Sequence, residues 1–244
     1  MPTFRISTLL TVLVAVLPAL VIAALATLPA PAPPPPRPEA RVPLEPVRDR
    51  MVSPLFDPEL APTLLDAPDR DQWQQPERVV EALGLRPGET VADVGAGSGY
   101  LLPYLSRAVG PSGVVYAQEI QPTFIPRLQE RARELPNVRV VLGTAVEPNL
   151  PRAGIDCFMM LTVYHEVQQP IEYLRRLRAY ARPGARLAIL DFDAGRNGSP
   201  PAPRGHEVAE RDVLAEARAA GWELAERHEF LSSQFFLVFR ASGE

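Results

Sequence analysis

The sequence predicts an α/β fold: a mostly parallel sheet, helices on both faces and an antiparallel closing strand. Three observations predict it. Apolar runs of strand length alternate with helix-period segments from residue 77 to residue 240. A glycine-rich turn joins the first of these strands to the helix after it. The last two strand patterns, Trp222–Phe230 and Gln234–Arg240, are separated only by Leu231-Ser232-Ser233, too short for a parallel crossover.

The elements follow in order. Glu77–Leu83 reads as a short helix with Pro76 in its first turn, where a missing N–H costs nothing. Arg86-Pro87-Gly88-Glu89 is a turn into the apolar strand Thr90–Val94. Tyr100–Val109 reads as a helix and Gly113–Glu119 as a strand. Phe124, Ile125, Leu128, Ala132 and Leu135 recur at helical spacing. Val138–Leu142 and Ile155–Leu161 are strands. Ile171, Leu174, Leu177 and Ala181 mark a further helix, stopped by Pro183-Gly184. Ala185–Phe192 is a strand, and Glu207–Ala220 is a helix ending at Gly221.

The 244-residue chain divides before this pattern starts. Leu9–Leu28 is uncharged and apolar, and 20 helical residues reach about 30 Å, the thickness of a bilayer's hydrocarbon core. Residues 1–28 therefore read as a transmembrane anchor, or as a signal peptide cleaved near the small residues Ala26, Ala30 and Ala32. The first reading makes the protein membrane-associated, and the second makes it exported or periplasmic. Residues 29–54 are a proline-rich linker whose PAPAPPPPRP tract favours an extended spacer. Residues 55–76 are a lead-in, in which the amphipathic Asp71-Gln72-Trp73-Gln74-Gln75-Pro76 reads as a lid. Residues 77–244 are the α/β domain, and the protein is expected to be a monomer.

Charge and composition exclude several functions. A net charge of −4 without a basic stripe argues against nucleic acid as a partner. All 25 cationic side chains are Arg, which removes Schiff-base and P-loop lysine chemistry. A lone cysteine, Cys157, excludes an internal disulfide and sits in an apolar strand, as a core residue would. His165 and His206 are expected to face one cleft, but no ligand spacing indicates a metal, and none is expected.

The most informative segment is Val91-Ala92-Asp93-Val94-Gly95-Ala96-Gly97-Ser98-Gly99-Tyr100. Glycines permit positive φ and a close approach of ligand to backbone, and a helix N-terminus offers free N–H groups. The spacing is G-x-G-x-G, and Tyr100 stands where the dinucleotide fingerprint needs glycine. With Asp93 before the loop and Glu119 ending the next strand, the sequence resembles the class I S-adenosylmethionine-dependent methyltransferases. It looks most like the small methyltransferase-11/25-type subset with a D-x-W-Q-x-P lead-in and a Y-H-E segment, a resemblance that implies contact of Trp73 or Gln75 with the cofactor pocket. The resemblance implies a Rossmann-like, seven-stranded methyltransferase sheet and S-adenosylmethionine as cofactor. It implies that Asp93, Gly95, Gly97 and Gly99 line the methionine part and that Glu119 binds the ribose hydroxyls. Gly143-Thr144-Ala145 stands where the family often has an Asp-Ala pair, which leaves Thr144 for the adenine.

Residues at the carboxyl ends of strands four and five are the candidates for the acceptor side. His165, in Thr162-Val163-Tyr164-His165-Glu166, has the intrinsic pKa of a general base, and Tyr164 is placed to shape the methyl pocket or to hydrogen-bond the substrate. Asp191-Phe192-Asp193 offers acids for a cationic or hydroxyl group. The expected function is methyl transfer by in-line displacement to a small-molecule or lipid-linked acceptor. Two alternatives remain at this level: a non-catalytic, membrane-tethered S-adenosylmethionine-binding module, and an NAD-type oxidoreductase.

Overall fold

The computed structural model describes residues 65–152, 154–198, 200 and 205–242. The expected anchor, the spacer and the first ten residues of the lead-in lie outside the described residues. Among the described residues, no helix is long and apolar enough to cross a membrane.

Two short helices come first, α1 (Arg70–Gln74) and α2 (Pro76–Ala82). Then follow β1 (Thr90–Val94), α3 (Leu102–Val109), β2 (Val114–Glu119), α4 (Ile125–Arg133), β3 (Val138–Leu142) and β4 (Ile155–Leu161). The chain continues through α5 (Pro170–Tyr180), β5 (Ala181–Asp193), β6 (Glu207–Val208), α6 (Glu210–Ala219), β7 (Trp222–His228) and β8 (Gln234–Ala241). The main sheet runs β3-β2-β1-β4-β5-β8-β7, with β6 paired to β5. β1 to β5 are mutually parallel, while β8 is antiparallel to both neighbours, β5 and β7. The expected seven strands and antiparallel closing strand are thus present.

Strand alternation divides the core between the two faces of the sheet. Phe235, Leu237 and Phe239 of β8 pack with Phe158, Leu174, Leu177, Val213 and Trp222 on one face. Phe236 and Val238 pack with Val79, Leu102, Leu105, Leu128 and Met159 on the other. Each fully buried large apolar side chain contributes about 1.5–3 kcal/mol. Buried on both faces, β4 and β8 read as continuous apolar runs rather than alternating ones. Trp222 meets its polar requirement by donating Nε1–H to the Leu174 carbonyl at 3.0 Å.

Two boundaries differ from the sequence expectation by three residues or more. The last helix starts at Glu210, not Glu207, because Glu207–Val208 are extended and pair with Phe192 and Asp193 of β5. β5 begins at Ala181, before Pro183-Gly184, because Ala181 pairs with Ile155 as soon as α5 ends. The register between β4 and β5 then shifts before Cys157 meets Arg186.

β1 and β4 are neighbours although β2 and β3 come between them in the chain. The strand order reverses there, and open α/β sheets bind ligands at the carboxyl ends beside such a reversal.

Candidate active site

The glycine loop leaves β1 at this reversal. Gly95, Gly97 and Gly99 have φ of 72°, 52° and 81°, the left-handed region that disfavours side chains. At Gly95 space is also decisive: a Cβ there would lie 2.4 Å from Val163 Cγ2. The loop is fixed from the end of β2. Glu119, almost wholly buried, accepts hydrogen bonds from the N–H of Gly97 at 2.7 Å, Ile120 at 2.7 Å and Gln121 at 2.9 Å. Ile120 and Gln121 share Oε1, while Gly97 alone uses Oε2. A carboxylate has about four acceptor positions, so Oε2 retains one.

A cavity of about 360 Å³ lies over this loop. Its wall includes Asp93, Gly95, Gly97, Glu119, Thr144, Ala145, Val163 and Tyr173. Gly99 turns the chain into α3 instead, where its hydrogen atom lies against Leu102 and Leu128. Asp93 is buried, and that burial, together with the nearby Glu119 charge, raises its carboxyl to about 7. Arg70 opposes the shift. Thr144 reaches the cavity, but its hydroxyl is engaged by its own turn, accepting from the N–H of Glu147 at 2.9 Å.

Arg70 and Gln118 line the cavity although the sequence did not single them out. Arg70 of α1 is buried, and burial lowers its guanidinium pKa against the pull of Tyr100, Asp66, Asp93 and Asp71. It lies 3.9 Å above the Tyr100 ring and donates Nη1–H to the Leu65 carbonyl, while its Nε is buried without a hydrogen-bond partner. Gln118 accepts from Gly95 N–H through Oε1 at 3.3 Å and leaves its buried Nε2 likewise unpartnered. Their signal in the sequence was slight: an Arg one turn before Trp73, and a Gln inside an apolar strand.

The lead-in enters the cleft through Leu65 and Arg70, which corrects the expectation for Trp73 and Gln75. Trp73 packs on Phe192, ring centroids 6.3 Å apart, and Gln75 donates to the Phe230 carbonyl. Tyr164 is a second correction. It is fully buried in the core, and its hydroxyl donates to Glu216 at 2.7 Å, so it does not shape the methyl pocket. Cys157 is a core residue whose thiol burial pushes up to about 12, far from nucleophilic.

His165 sits beside the cavity, and its neighbour Glu166 lines it. Both lie in a 3₁₀ turn, Tyr164–Glu166, at the end of β4. The buried Asp191 of β5 holds His165 twice: Oδ2 accepts the backbone N–H at 3.0 Å, and Oδ1 pairs with Nδ1 at 2.8 Å. Asp191 Oδ1 also accepts from Phe192 N–H at 2.9 Å, so this acid is a structural anchor rather than an acceptor-binding group. Asp193 is engaged by Arg196 at 3.2 Å. The other ring nitrogen of His165, Nε2, faces His206 Nδ1 at 3.0 Å.

The chain resembles known proteins in sequence and fold. A methyltransferase-domain family model matches residues 92–189. The crystal structure of an S-adenosylmethionine-dependent methyltransferase from Aquifex aeolicus superposes with a TM-score of 0.71 at 32% identity, covering 76% of this chain and 99% of that one. The chain belongs to the S-adenosylmethionine-dependent methyltransferases. As a methyltransferase it also resembles a ubiquinone/menaquinone biosynthesis C-methyltransferase of Vibrio cholerae, at 29% identity over 46% of this chain and 45% of that protein. It therefore spans less than half the length of that curated relative. A didemethyltoxoflavin N1-methyltransferase of Burkholderia thailandensis, solved with S-adenosylhomocysteine, shares the fold alone at 19% identity and a TM-score of 0.53, covering 80% of this chain and 94% of that one. Membership removes the NAD-oxidoreductase reading.

The cofactor of the family is S-adenosylmethionine, and the residues present fit it. Its amino-acid end carries one positive and one negative group, and the cleft offers a buried acid, Asp93, and a buried cation, Arg70. Unpartnered nitrogens of Arg70 and Gln118 can donate to a ligand bearing acceptors, and Glu119 Oε2 can accept from a hydroxyl.

Proposed function

We propose that this methyltransferase transfers the sulfonium methyl group to a small-molecule or lipid-linked acceptor. The supporting observation is the convergence of the glycine loop, Asp93, Glu119 and Arg70 on one cavity of a size usual for small ligands. S-adenosylmethionine, when bound, supplies an electrophilic methyl group. The chain's task is then to hold cofactor and acceptor in line and to exclude water. In this reading Asp93 takes the ammonium, Arg70 the carboxylate and Glu119 the ribose hydroxyls. Gly95 and Gly97 let the ligand approach the backbone, Gly99 sets the helix start behind them, and Thr144 closes the adenine side.

On the acceptor side His165 acts through Glu166, the cluster member that lines the cleft. Asp191 Oδ1 pairs with His165 Nδ1, and His165 Nε2 faces His206 Nδ1 at 3.0 Å with Glu166 Oε1 3.7 Å away. A lipid-linked acceptor agrees with the ubiquinone/menaquinone relative and with the apolar run Leu9–Leu28, read as a membrane tether.

Titration calorimetry of the full-length chain with S-adenosylhomocysteine tests the cofactor assignment. Micromolar binding is expected, and Gly97→Arg abolishes it while the circular-dichroism spectrum persists. No binding by the wild-type chain overturns the reading. Methyl-labelled cofactor is then offered with lipid and aqueous extracts. Label in a small or lipid product supports transfer, and binding without transfer across such a panel favours the non-catalytic module. Protease accessibility of the domain in sealed vesicles decides which side of the membrane it occupies.

A further inference from the structure

We propose that His165, Glu166 and His206 form a divalent-cation site beside the methyl-transfer cleft, with zinc(II) the best-suited ion. The three residues offer one ligand atom each, and these atoms lie within 4.8 Å of one another. His165 Nε2 is 3.0 Å from His206 Nδ1 and 3.7 Å from Glu166 Oε1. Two ligands bound at about 2.0–2.1 Å to a tetrahedral ion stand about 3.3–3.4 Å apart, and the two separations straddle that value. The donor set, two imidazoles and one carboxylate, suits zinc and neighbouring first-row ions better than magnesium or calcium, which take oxygen.

The surroundings match what a metal-bound imidazole needs. A ligating histidine usually gives its second ring N–H to a carboxylate, which fixes the tautomer and raises the basicity of the ligating nitrogen. Asp191 does this for His165 at 2.8 Å and also holds its backbone N–H, so ring and main chain are positioned together. His206 comes from a segment 41 residues away, carried in by the short β6 pairing with β5. Glu166 lines the cavity, so the cation would sit between the buried Asp191–His165 pair and the acceptor end of the cleft. The inference that the ion serves the acceptor rests on the proposed function; cation binding itself does not.

The test uses the full-length chain, stripped with a chelator, dialysed free of it and carrying no polyhistidine tag. Zinc(II) is titrated in by calorimetry with elemental analysis, and cobalt(II) is used in its place to read visible absorption. One equivalent of tightly bound zinc is expected. His206→Ala and Glu166→Gln should each weaken it at least tenfold, and His228→Ala should leave it unchanged. S-adenosylhomocysteine binding, measured on the same samples, confirms that each variant is folded. No stoichiometric binding by a chain that binds S-adenosylhomocysteine overturns the metal site and leaves the methyltransferase reading standing. Zinc binding unchanged in both ligand variants overturns it as well, since the ion is then held elsewhere. Loss of S-adenosylhomocysteine binding with zinc stoichiometry intact strikes only the cofactor reading.

Discussion

The two halves of the cleft are built differently. The β1–β2 half uses backbone: three left-handed glycines and a loop pinned at Gly97 N–H by one carboxylate, which the N–H groups of Ile120 and Gln121 hold in place. The β4–β5 half uses side chains: an imidazole clamped by Asp191, with a second imidazole delivered from residue 206. A backbone site is rigid and indifferent to acceptor chemistry, which suits a cofactor shared across a family. A side-chain site can be retuned one residue at a time, which suits the partner that differs between members.

The contrast is sharpened first by Gly95→Ala. Its Cβ meets Val163, and its φ of 72° adds about 1–2 kcal/mol of strain, so S-adenosylhomocysteine affinity should fall about 100-fold. Retained affinity, measured by calorimetry, would break the backbone account. Next comes Arg70→Met, which removes a charge-assisted contact worth about 1.5–3 kcal/mol, or roughly 10- to 100-fold in affinity. Methylthioadenosine lacks the amino-acid end, so its affinity should stay within about twofold. Equal losses for both ligands would place Arg70 in scaffold rather than recognition.

A pH profile comes third. Asp93 titrates at about 7, and only its ionised form attracts an ammonium, so affinity should rise roughly eightfold from pH 6 to 7.5. Asp93→Asn should be weaker and flat over this range. The stability sign is opposite. The folded-state pKa lies above the usual 3.8, so the folded chain holds the extra proton between these values. Stability from this group is therefore full below about 4, falls as pH rises towards 7 and stays low above it. Thermal melts of the ligand-free protein should show Asp93→Asn gaining on wild type at pH 8 but not at pH 4. The smallest effect on the cleft is expected for Tyr164→Phe. Denaturant melts should lose about 1–2 kcal/mol as the Tyr164–Glu216 hydrogen bond is removed, with cofactor affinity unchanged. A changed affinity would return Tyr164 to the site.

Legibility followed the same division. Asp93 to Gly99 could be read because the β1 half is nearly contiguous in sequence, and a turn needing positive φ three times leaves glycines behind. Glu119 could be read because it ends the next strand. The alternation of elements showed the sheet, since β4 and β8 are apolar on both faces. The His165–His206 contact could not be measured, because it depends on a two-residue strand too short to leave a pattern. Tyr164 was misplaced because a 3₁₀ turn after a strand follows neither a period of 2 nor one of 3.6, so adjacent residues give no hint which faces inward. Arg70 was missed because a buried arginine is rare, and the aromatic at Trp73 was the more obvious anchor.

The position of β8 has a consequence during synthesis. Its long apolar strand pairs with β5 along Arg186–Phe192, yet about 40 residues separate the end of β5 from the start of β8. While the ribosome makes those residues, β5 presents an open, apolar edge of the kind that recruits foreign strands. Elongation rate through α6 and β7, and chaperone cover over that interval, then govern how much of the newly made chain reaches its native sheet instead of pairing with a neighbour's.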